Sequence, residues 1–286
     1  MRVALLTVRP LPEPDPDEPL LLGALGERGI SVEMVDWRAP GDLSRFDLAV
    51  LRSTWDYHED PDAFRAFVEA ADRATKLLNP APVLRANLDK RYLRTLQDHG
   101  VPVVPTRFVA PGESAADVLA EVSWARFVVK PAISAASART RTFSSGDPAA
   151  ARHLDALLAT GGALVQDYLP SVEGRDGAIP ERAFVVIDET LTHGVEKRPR
   201  FEGEDESVSS AIQPTQDERA VVEQALSAWS AAFGPAPLLY GRVDLMRGAD
   251  GEPLVSELEL LEPSLFLLQH PPALQRLARA IERESR

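Results

Sequence analysis

Residues 240–264, "YGRVDLMRGADGEPLVSELELLEPS", carry the strongest structural signal in the chain. The turn-forming "ADG" separates two apolar runs, and this pattern predicts a β-hairpin. Alternate residues of a strand point to the same face of a sheet. If Arg247 pairs with Leu254, Asp244 therefore lies opposite Glu257 on one face.

This hairpin brings three carboxylates together, with a fourth close behind. Glu259 shares the face of Asp244 and Glu257, and Glu262 follows shortly after. Carboxylates this close repel one another, and burying them without partners is expensive. Hard divalent cations prefer oxygen ligands, and Mg²⁺ commonly shares them with substrate phosphates. A solvated acidic strand is the alternative interpretation, but the apolar neighbours favour a half-buried metal site.

The composition is that of a globular chain with an acidic balance. The 286 residues are 44% hydrophobic and 26% charged, which is enough for two or three lobes with cores. The net charge of -13 argues against nucleic acid or an anionic membrane surface as a partner. The absence of cysteine excludes disulfides, thiol nucleophiles and Cys-ligated zinc. Because the chain opens directly as a strand and lacks a long apolar run, we expect a cytoplasmic protein.

The first part of the chain alternates strand and helix patterns. Asp60 is the predicted N-cap of a helix that has Pro61 at its first position. The alternation predicts a small, parallel, doubly wound α/β domain at residues 1–84. A further helix is predicted to begin at its N-cap, Asn87, and to stop at Gly100.

The rest of the chain, residues 85–286, has a mixed α+β pattern without internal repeats. A smaller lobe is predicted at about 104–166 and a C-terminal lobe at about 167–286. The acidic, polar stretch at 201–218 is predicted to be a mobile loop.

Two lysines and two arginines are candidates for binding phosphate. Lys90 lies in the first turn of its predicted helix, where an anion would relieve the unfavourable effect of the helix dipole. Lys130 ends the apolar strand "RFVVK" and needs either an anion or a route to water. The small-residue stretch that follows ends with Arg139 and Arg141 and could fold over phosphates. Surface lysines and a plain loop are the alternatives.

The motif "LRSTWDYHEDP" is a candidate for binding a second substrate. It follows an apolar strand, so its residues lie at the carboxyl end of a sheet, where open α/β sheets bind ligands. Arg52 could clamp a carboxylate. The alternative is a capped turn in which Trp55 and Tyr57 pack between lobes. The other candidates for shaping the pocket are Ser53, Thr54, Trp55 and Asp56.

Taken together, the motifs resemble those of the ATP-grasp carboxylate–amine ligases, nearly from end to end. The resemblance rests on "NPAPVLRANLDKRYL", "RFVVKP", "LVQDYLP", "ERAFVVI" and the hairpin, in this order. It implies an α/β ATP-grasp fold in which residues 85–286 form the ATP-grasp domain, with 104–166 as its lid lobe. It also implies that ATP phosphorylates a substrate carboxylate and that a nitrogen nucleophile attacks the acyl phosphate.

The resemblance implies a role for each candidate residue. The resemblance implies catalytic roles for Arg242, for Lys197 and for Arg182, which would contact a phosphate. Nucleotide binding falls to Lys90 and Lys130, to Gln166, Asp167, Tyr168 and Leu169 at the adenine edge, and to Glu173 at the ribose, with Glu181 as second choice. Metal binding falls to Asp244, Glu257 and Glu259, which would hold two Mg²⁺, with Mn²⁺ as an alternative ion.

A narrower resemblance links the chain to the cyclo-ligases of cycloserine biosynthesis. It is carried by "LRSTWDYH", "VEKRP" and "LEPSLFL", and it implies a small amino-acid-like substrate and an amide or cyclic amide product. A glutathione-synthetase-like peptide ligase is one alternative, and a nucleotide-binding protein without turnover is another. The loop "AISAAS" lacks the glycine pair of prokaryotic glutathione synthetases, and residues 199–216 lack their Gly- and Arg-rich character. A homodimer is a further expectation from the resemblance.

Overall fold

The computed structural model describes residues 1–135, 137–174, 178–198 and 207–285. Three sheets divide the described chain, and each is covered by helices. None of the described helices combines the length and the apolar character that a membrane span requires.

The N-terminal sheet has four parallel strands in the order β2-β1-β3-β4, as the sequence predicts for a doubly wound unit. Helix α1 packs on the face of Val3 and Leu5, while α2 packs on the face of Ala4 and Leu6. The predicted cap of α2 is confirmed, because the Asp60 carboxylate accepts a hydrogen bond from the Ala63 N–H. The elements are β1 (Arg2–Thr7), α1 (Asp17–Gly26), β2 (Ser31–Asp36), β3 (Leu48–Ser53), α2 (Pro61–Ala74) and β4 (Lys76–Leu78).

The prediction of one continuous helix from Asn87 to Gly100 is wrong. The structure has two short helices, α3 (Ala81–Asn87) and α4 (Tyr92–Asp98), and Lys90 lies in the turn between them. The reason is a tertiary contact, because the Asn87 amide donates to the Leu258 carbonyl at 2.8 Å and accepts from the Leu260 N–H at 2.7 Å. A side chain occupied in this way cannot cap a helix.

The middle sheet is antiparallel, in the order β5-β8-β6-β7, and α5 and α6 cover its apolar face. Both helices are present where the sequence predicts them. Residue 136 of the loop after β6, part of the stretch expected to cover phosphates, lies outside the described residues. The elements are β5 (Thr106–Val109), α5 (Ala115–Glu121), β6 (Arg126–Pro131), β7 (Arg141–Ser144), α6 (Pro148–Leu158) and β8 (Ala163–Asp167).

The C-terminal sheet is antiparallel, in the order β11-β10-β9-β12-β13. The mobile loop predicted at 201–218 falls partly outside the described residues, at 201–206, while Ile212 pairs with Gly194. Hydrophobic residues of this sheet and of the N-terminal sheet pack into one shared core. The domain boundary at residue 84 therefore stays a prediction. The elements are β9 (Glu181–Ile187), β10 (Thr190–Arg198), β11 (Ser207–Val208), α7 (Gln216–Phe233), β12 (Tyr240–Arg247), β13 (Pro253–Glu259) and α8 (Pro271–Glu284).

Candidate active site

The hairpin of β12 and β13 places Asp244 opposite Glu257, as predicted, but by a different register. Arg247 pairs with Pro253 rather than with Leu254, so the pairing assumed from the sequence is wrong. A β-bulge next to Asp244 then shifts the register by one residue. Because a one-residue shift exchanges the faces of a strand, the bulge is what puts both carboxylates on the same face.

Asp244 is buried between two cations. Its carboxylate accepts hydrogen bonds from Lys197 Nζ at 2.7 Å and from Arg242 Nε at 2.7 Å and Nη2 at 2.9 Å. Burial raises the pKa of Asp244, but Arg242 and Lys197 outweigh this effect and hold it below its usual value. The aspartate is therefore ionised.

Glu257 is the anchor for the two predicted nucleotide lysines. Lys130 Nζ donates to its Oε1 at 3.0 Å, and Lys90 Nζ lies 3.7 Å from its Oε2. Burial opposes ionisation, but the two lysines hold the pKa of Glu257 well below its usual range. Lys130 is itself buried, and it pairs with a carboxylate that is half-buried. The structure thus brings Lys90 and Lys130 to one carboxylate, although the sequence places them on different elements.

Glu259 and Glu181 complete the acidic side of this face. Arg242 contacts Glu259, yet burial, together with Asp244 and Glu257, raises the pKa of Glu259 to about 7. Glu181 lies 3.5 Å from Lys197 and accepts a hydrogen bond from the Ser256 hydroxyl at 3.0 Å.

The chemistry of these donors fits a hard divalent cation. Every acidic donor is a carboxylate, which is the ligand type that Mg²⁺ prefers. Among the residues that the structure describes, however, no three His, Asp or Glu side chains lie close enough together to hold a metal ion. Each carboxylate instead contacts a lysine or an arginine, and these cations lie on the face where nucleotide phosphates are expected.

Arg182 is not part of this cluster. It follows Glu181 on β9, so the two side chains point to opposite faces of the sheet. Arg182 contacts Glu196 at 2.8 Å and Glu218 of α7 at 3.2 Å. The arrangement does not support the predicted phosphate contact of Arg182. Ala183 pairs with Asp244, and alternate residues of a strand share one face. The alternation of β9 could therefore have identified Glu181, two residues before Ala183, as the side chain on the face of Asp244.

The residues predicted to bind adenine and ribose lie at the end of β8. The Asp167 and Tyr168 N–H groups donate to the carbonyls of Pro105 and Arg126. Glu173 accepts a hydrogen bond from Arg126 at 3.0 Å and another from the Tyr168 hydroxyl. Burial, followed by the hydrogen bond to Glu173, raises the pKa of Tyr168 to about 12. Beside them, the Gln166 amide donates to the Thr106 hydroxyl, and Leu169 is buried.

The end of β3 and the loop after it contain buried polar residues and residues that hydrogen-bond to neighbouring segments. Arg52 is 3% exposed, and its Nη1 has no hydrogen-bond partner among the described residues, as is also true of Thr54 Oγ1. Ser53 exchanges a hydrogen bond with the Thr7 hydroxyl at 2.8 Å. Trp55 Nε1 donates to the Glu262 carbonyl at 3.4 Å. At the outer end, Asp56 accepts a hydrogen bond from Trp37 Nε1 at 2.6 Å and contacts Arg38.

Comparisons with known proteins match this architecture over its whole length. Residues 3–79 match the family described as D-cycloserine synthetase DcsG, N-terminal domain. The cycloserine biosynthesis protein DcsG of Streptomyces lavendulae is 40% identical over 283 residues, which are 93% of each chain. The crystal structure of D-cycloserine synthetase DcsG is 37% identical with a TM-score of 0.90, covering 100% of both chains.

A more distant solved structure identifies the fold. The ATP-grasp ligase PsnB, in complex with a phosphomimetic variant of its minimal precursor, Mg and ADP, is 20% identical with a TM-score of 0.61. The match covers 99% of this chain and 98% of that chain. This likeness shows the fold alone, and it confirms the fold that the sequence predicts.

Proposed function

The chain belongs to the DcsG family of ATP-grasp ligases, and on this basis we propose that it activates the carboxylate of an amino-acid-like substrate with ATP. A carboxylate oxygen attacks the γ-phosphorus of ATP and releases ADP. A nitrogen nucleophile then attacks the acyl phosphate, and phosphate leaves with that carboxylate oxygen. The product is an amide or a cyclic amide.

One observation carries this proposal: carboxylates and cations alternate on a single buried face. Transfer of a phosphoryl group depends mainly on positioning and charge neutralisation. Lys90 and Lys130 supply charge for the nucleotide phosphates. Arg242 and Lys197 supply it on the other side of the cluster, where charge develops on the reacting carboxylate. Covalent participation by the protein is not needed, which agrees with a chain that has no cysteine.

The metal belongs to the same proposal. PsnB was solved with Mg and ADP, and the carboxylates of Asp244, Glu257 and Glu259 are the type of ligand that Mg²⁺ prefers. Two Mg²⁺ ions held by these residues, or Mn²⁺ in their place, would neutralise the phosphate oxygens. Lys130 and Lys197, which now contact Glu257 and Asp244, would then be available to the phosphates.

The nucleotide base and ribose have a proposed site at the end of β8. Gln166 to Leu169 lie there in an extended segment that could present its backbone to an adenine edge. The Asp167 and Tyr168 N–H groups are already bonded, so their carbonyls and the segment towards Leu169 are the candidates. Glu173 would exchange its contact with Arg126 for a ribose hydroxyl.

The substrate class follows from the loop after β3. Arg52 offers a buried guanidinium, and the DcsG relatives are named for cycloserine biosynthesis and D-cycloserine synthesis. We therefore propose O-ureido-D-serine as the first substrate to test, with ring closure by its own ureido nitrogen.

The test is Mg²⁺-dependent release of ADP by the full chain, measured with O-ureido-D-serine and with a panel of D- and L-amino acids. Stimulation by O-ureido-D-serine, with loss of the signal in EDTA and one cyclic product per ADP, is the expected result. Stimulation by a thiol dipeptide with glycine would indicate a glutathione-synthetase-like ligase instead. ATP that protects the chain from thermal unfolding, without turnover of any substrate, would contradict the proposal.

A further inference from the structure

Arg52 is a buried cation that makes no ion pair with any residue that the structure describes, although the charges of Asp17 and Glu262 lie near enough to act on it. Its side chain is 3% exposed, and its Nη1 finds no hydrogen-bond acceptor within the part of the chain that the structure describes. The guanidinium lies 5.4 Å from the centre of the Tyr240 ring. A buried guanidinium that lacks acceptors is costly, so its retention indicates an anionic ligand.

Glu262 is a buried acid on the segment that lies beside the Arg52 strand. It is 8% exposed, and none of the residues described in the structure donates a hydrogen bond to its carboxyl group. Burial, reinforced by Glu259, raises its pKa well above the usual range, against the opposing effect of Arg242, Lys90 and Arg52. A cationic ligand group would supply the charge and the hydrogen bonds that this acid lacks.

The fold holds Arg52 and Glu262 side by side. The Tyr240 hydroxyl lies 2.7 Å from the Leu51 carbonyl and 2.9 Å from the Leu261 carbonyl. Each of these carbonyls belongs to the residue immediately before Arg52 or Glu262. The Trp55 indole, which donates to the Glu262 carbonyl at 3.4 Å, makes a second link between the two segments. The two opposite charges therefore lie close enough to attract each other, but no direct ion pair joins them among the described residues.

We infer that Arg52 and Glu262 bind the zwitterionic head of an α-amino acid, with Arg52 at one carboxylate oxygen and Glu262 at the α-ammonium. The inference rests on the proposed function, because the second carboxylate oxygen would point towards Arg242 and the phosphates. Thr54 Oγ1, two residues after Arg52, is fully buried without a partner among the described residues, and we propose it as a further hydrogen-bonding group for the same ligand. Glu262 is thus a specificity-determining residue that selects substrates with a free α-amine.

The test compares O-ureido-D-serine with 3-(ureidooxy)propanoate, which lacks only the α-amine. Calorimetric titration of the full chain measures Kd for both compounds, and the ADP assay measures turnover separately. Wild-type protein is expected to prefer the amine by about 10- to 100-fold, the range of a charged hydrogen-bonded pair. Glu262→Gln keeps the shape of the side chain and should reduce this ratio to about one. The Kd for ATP should not change.

Glu223→Gln is the matched control, because the Glu223 side chain on α7 is 65% exposed and pairs loosely with Arg219 at 3.9 Å. Equal affinity of wild-type protein for the two compounds would overturn the inference, even if ADP release establishes the ligase. A preference for the amine that persists in folded Glu262→Gln protein would overturn it as well. If the preference depends on Glu262 but no ADP is released, the proposed function fails while the recognition site stands.

Discussion

Asp244 and Glu257 face each other across the hairpin, and each is held by a different pair of cations. Arg242 and Lys197 contact Asp244, while Lys90 and Lys130 contact Glu257. The hairpin therefore divides one acidic face into two halves with separate positive partners. Nucleotide phosphates and metal ions would have to enter between these halves, so both carboxylates should matter for turnover.

Glu257→Gln should lower the rate of ADP formation by at least about 100-fold while the protein remains folded. The substitution removes a carboxylate proposed to hold metal and leaves Lys90 and Lys130 without their anion, which costs about 3 kcal/mol when a buried pair is broken. A coupled ADP assay and thermal unfolding measure the two effects. Glu223→Gln serves as the control. Normal turnover in folded Glu257→Gln protein would rule out the metal assignment.

Asp17→Asn should reduce both the stability of the protein and its turnover, although Asp17 is not one of the candidate active-site residues. The Asp17 carboxylate, on α1, accepts the N–H groups of Leu265 at 3.0 Å and Leu267 at 2.8 Å. Asparagine has a single acceptor oxygen, so one buried N–H loses its partner at a cost of about 1–3 kcal/mol. The same loop supplies the Ser264 carbonyl that accepts from Arg242 at 3.3 Å.

The expected result for Asp17→Asn is a lower melting temperature and a kcat reduced by several-fold, with a nearly unchanged KM for ATP. Asp62→Asn is the control, because the Asp62 side chain is 93% exposed and its loss should matter little. A kcat equal to that of wild type in the folded variant would show that the loop does not position Arg242.

Tyr57→Phe should weaken the use of ATP. The Tyr57 hydroxyl donates to the Ser134 carbonyl at 3.0 Å, and Lys90 Nζ donates to the same carbonyl at 2.7 Å. Tyr57 therefore ties the N-terminal sheet to the loop that follows the Lys130 strand. Removing one hydrogen bond of about 1 kcal/mol should raise the KM for ATP by roughly fivefold. Steady-state kinetics would decide, since an unchanged KM together with a lower melting temperature would indicate a purely structural role.

His193→Gln should flatten the acid dependence of stability. His193 is fully buried against His270, with ring centres 4.7 Å apart, and burial followed by the His270 charge lowers its pKa to about 4. In the unfolded chain its pKa is about 6.5, so the unfolded state binds more protons between these values. The stabilising effect is present above pH about 6.5 and is lost as the pH falls to about 4, by about 3 kcal/mol.

Urea unfolding at pH 7 and pH 4.5 measures this effect for His193. The wild-type chain should lose more unfolding free energy between the two pH values than His193→Gln does. Equal losses in the two proteins would show that His193 is not the group that takes up the proton.

The sequence predicts the elements better than it predicts their contacts. The turn "ADG" and the alternation of β12 and β13 are local, so the hairpin itself is predictable from the sequence. The bulge beside Asp244 is not, because it depends on how the strands pair. Asn87 shows the same limit, since its amide is engaged by residues that lie far away in the sequence.

Two features of the site could not be predicted from the sequence. The motif resemblance assigns Arg182 to the phosphates. In the structure, the alternation of β9 places Arg182 against Glu218, and Glu181 is the residue of this strand that contacts Lys197 in the site. Glu262 stands out in the sequence only as one more acid in an acidic chain. Its significance emerges when folding places it near Arg52, a residue 210 positions earlier whose charge acts on it.

The most direct test of the acyl phosphate is an isotope-transfer experiment. O-ureido-D-serine labelled with ¹⁸O in its carboxylate would be turned over with ATP and Mg²⁺, and the phosphate released would be analysed by mass spectrometry. Phosphorylation of the carboxylate predicts one ¹⁸O atom in each phosphate formed, in a one-to-one ratio with ADP. Turnover that yields unlabelled phosphate would contradict the proposed activation of the carboxylate.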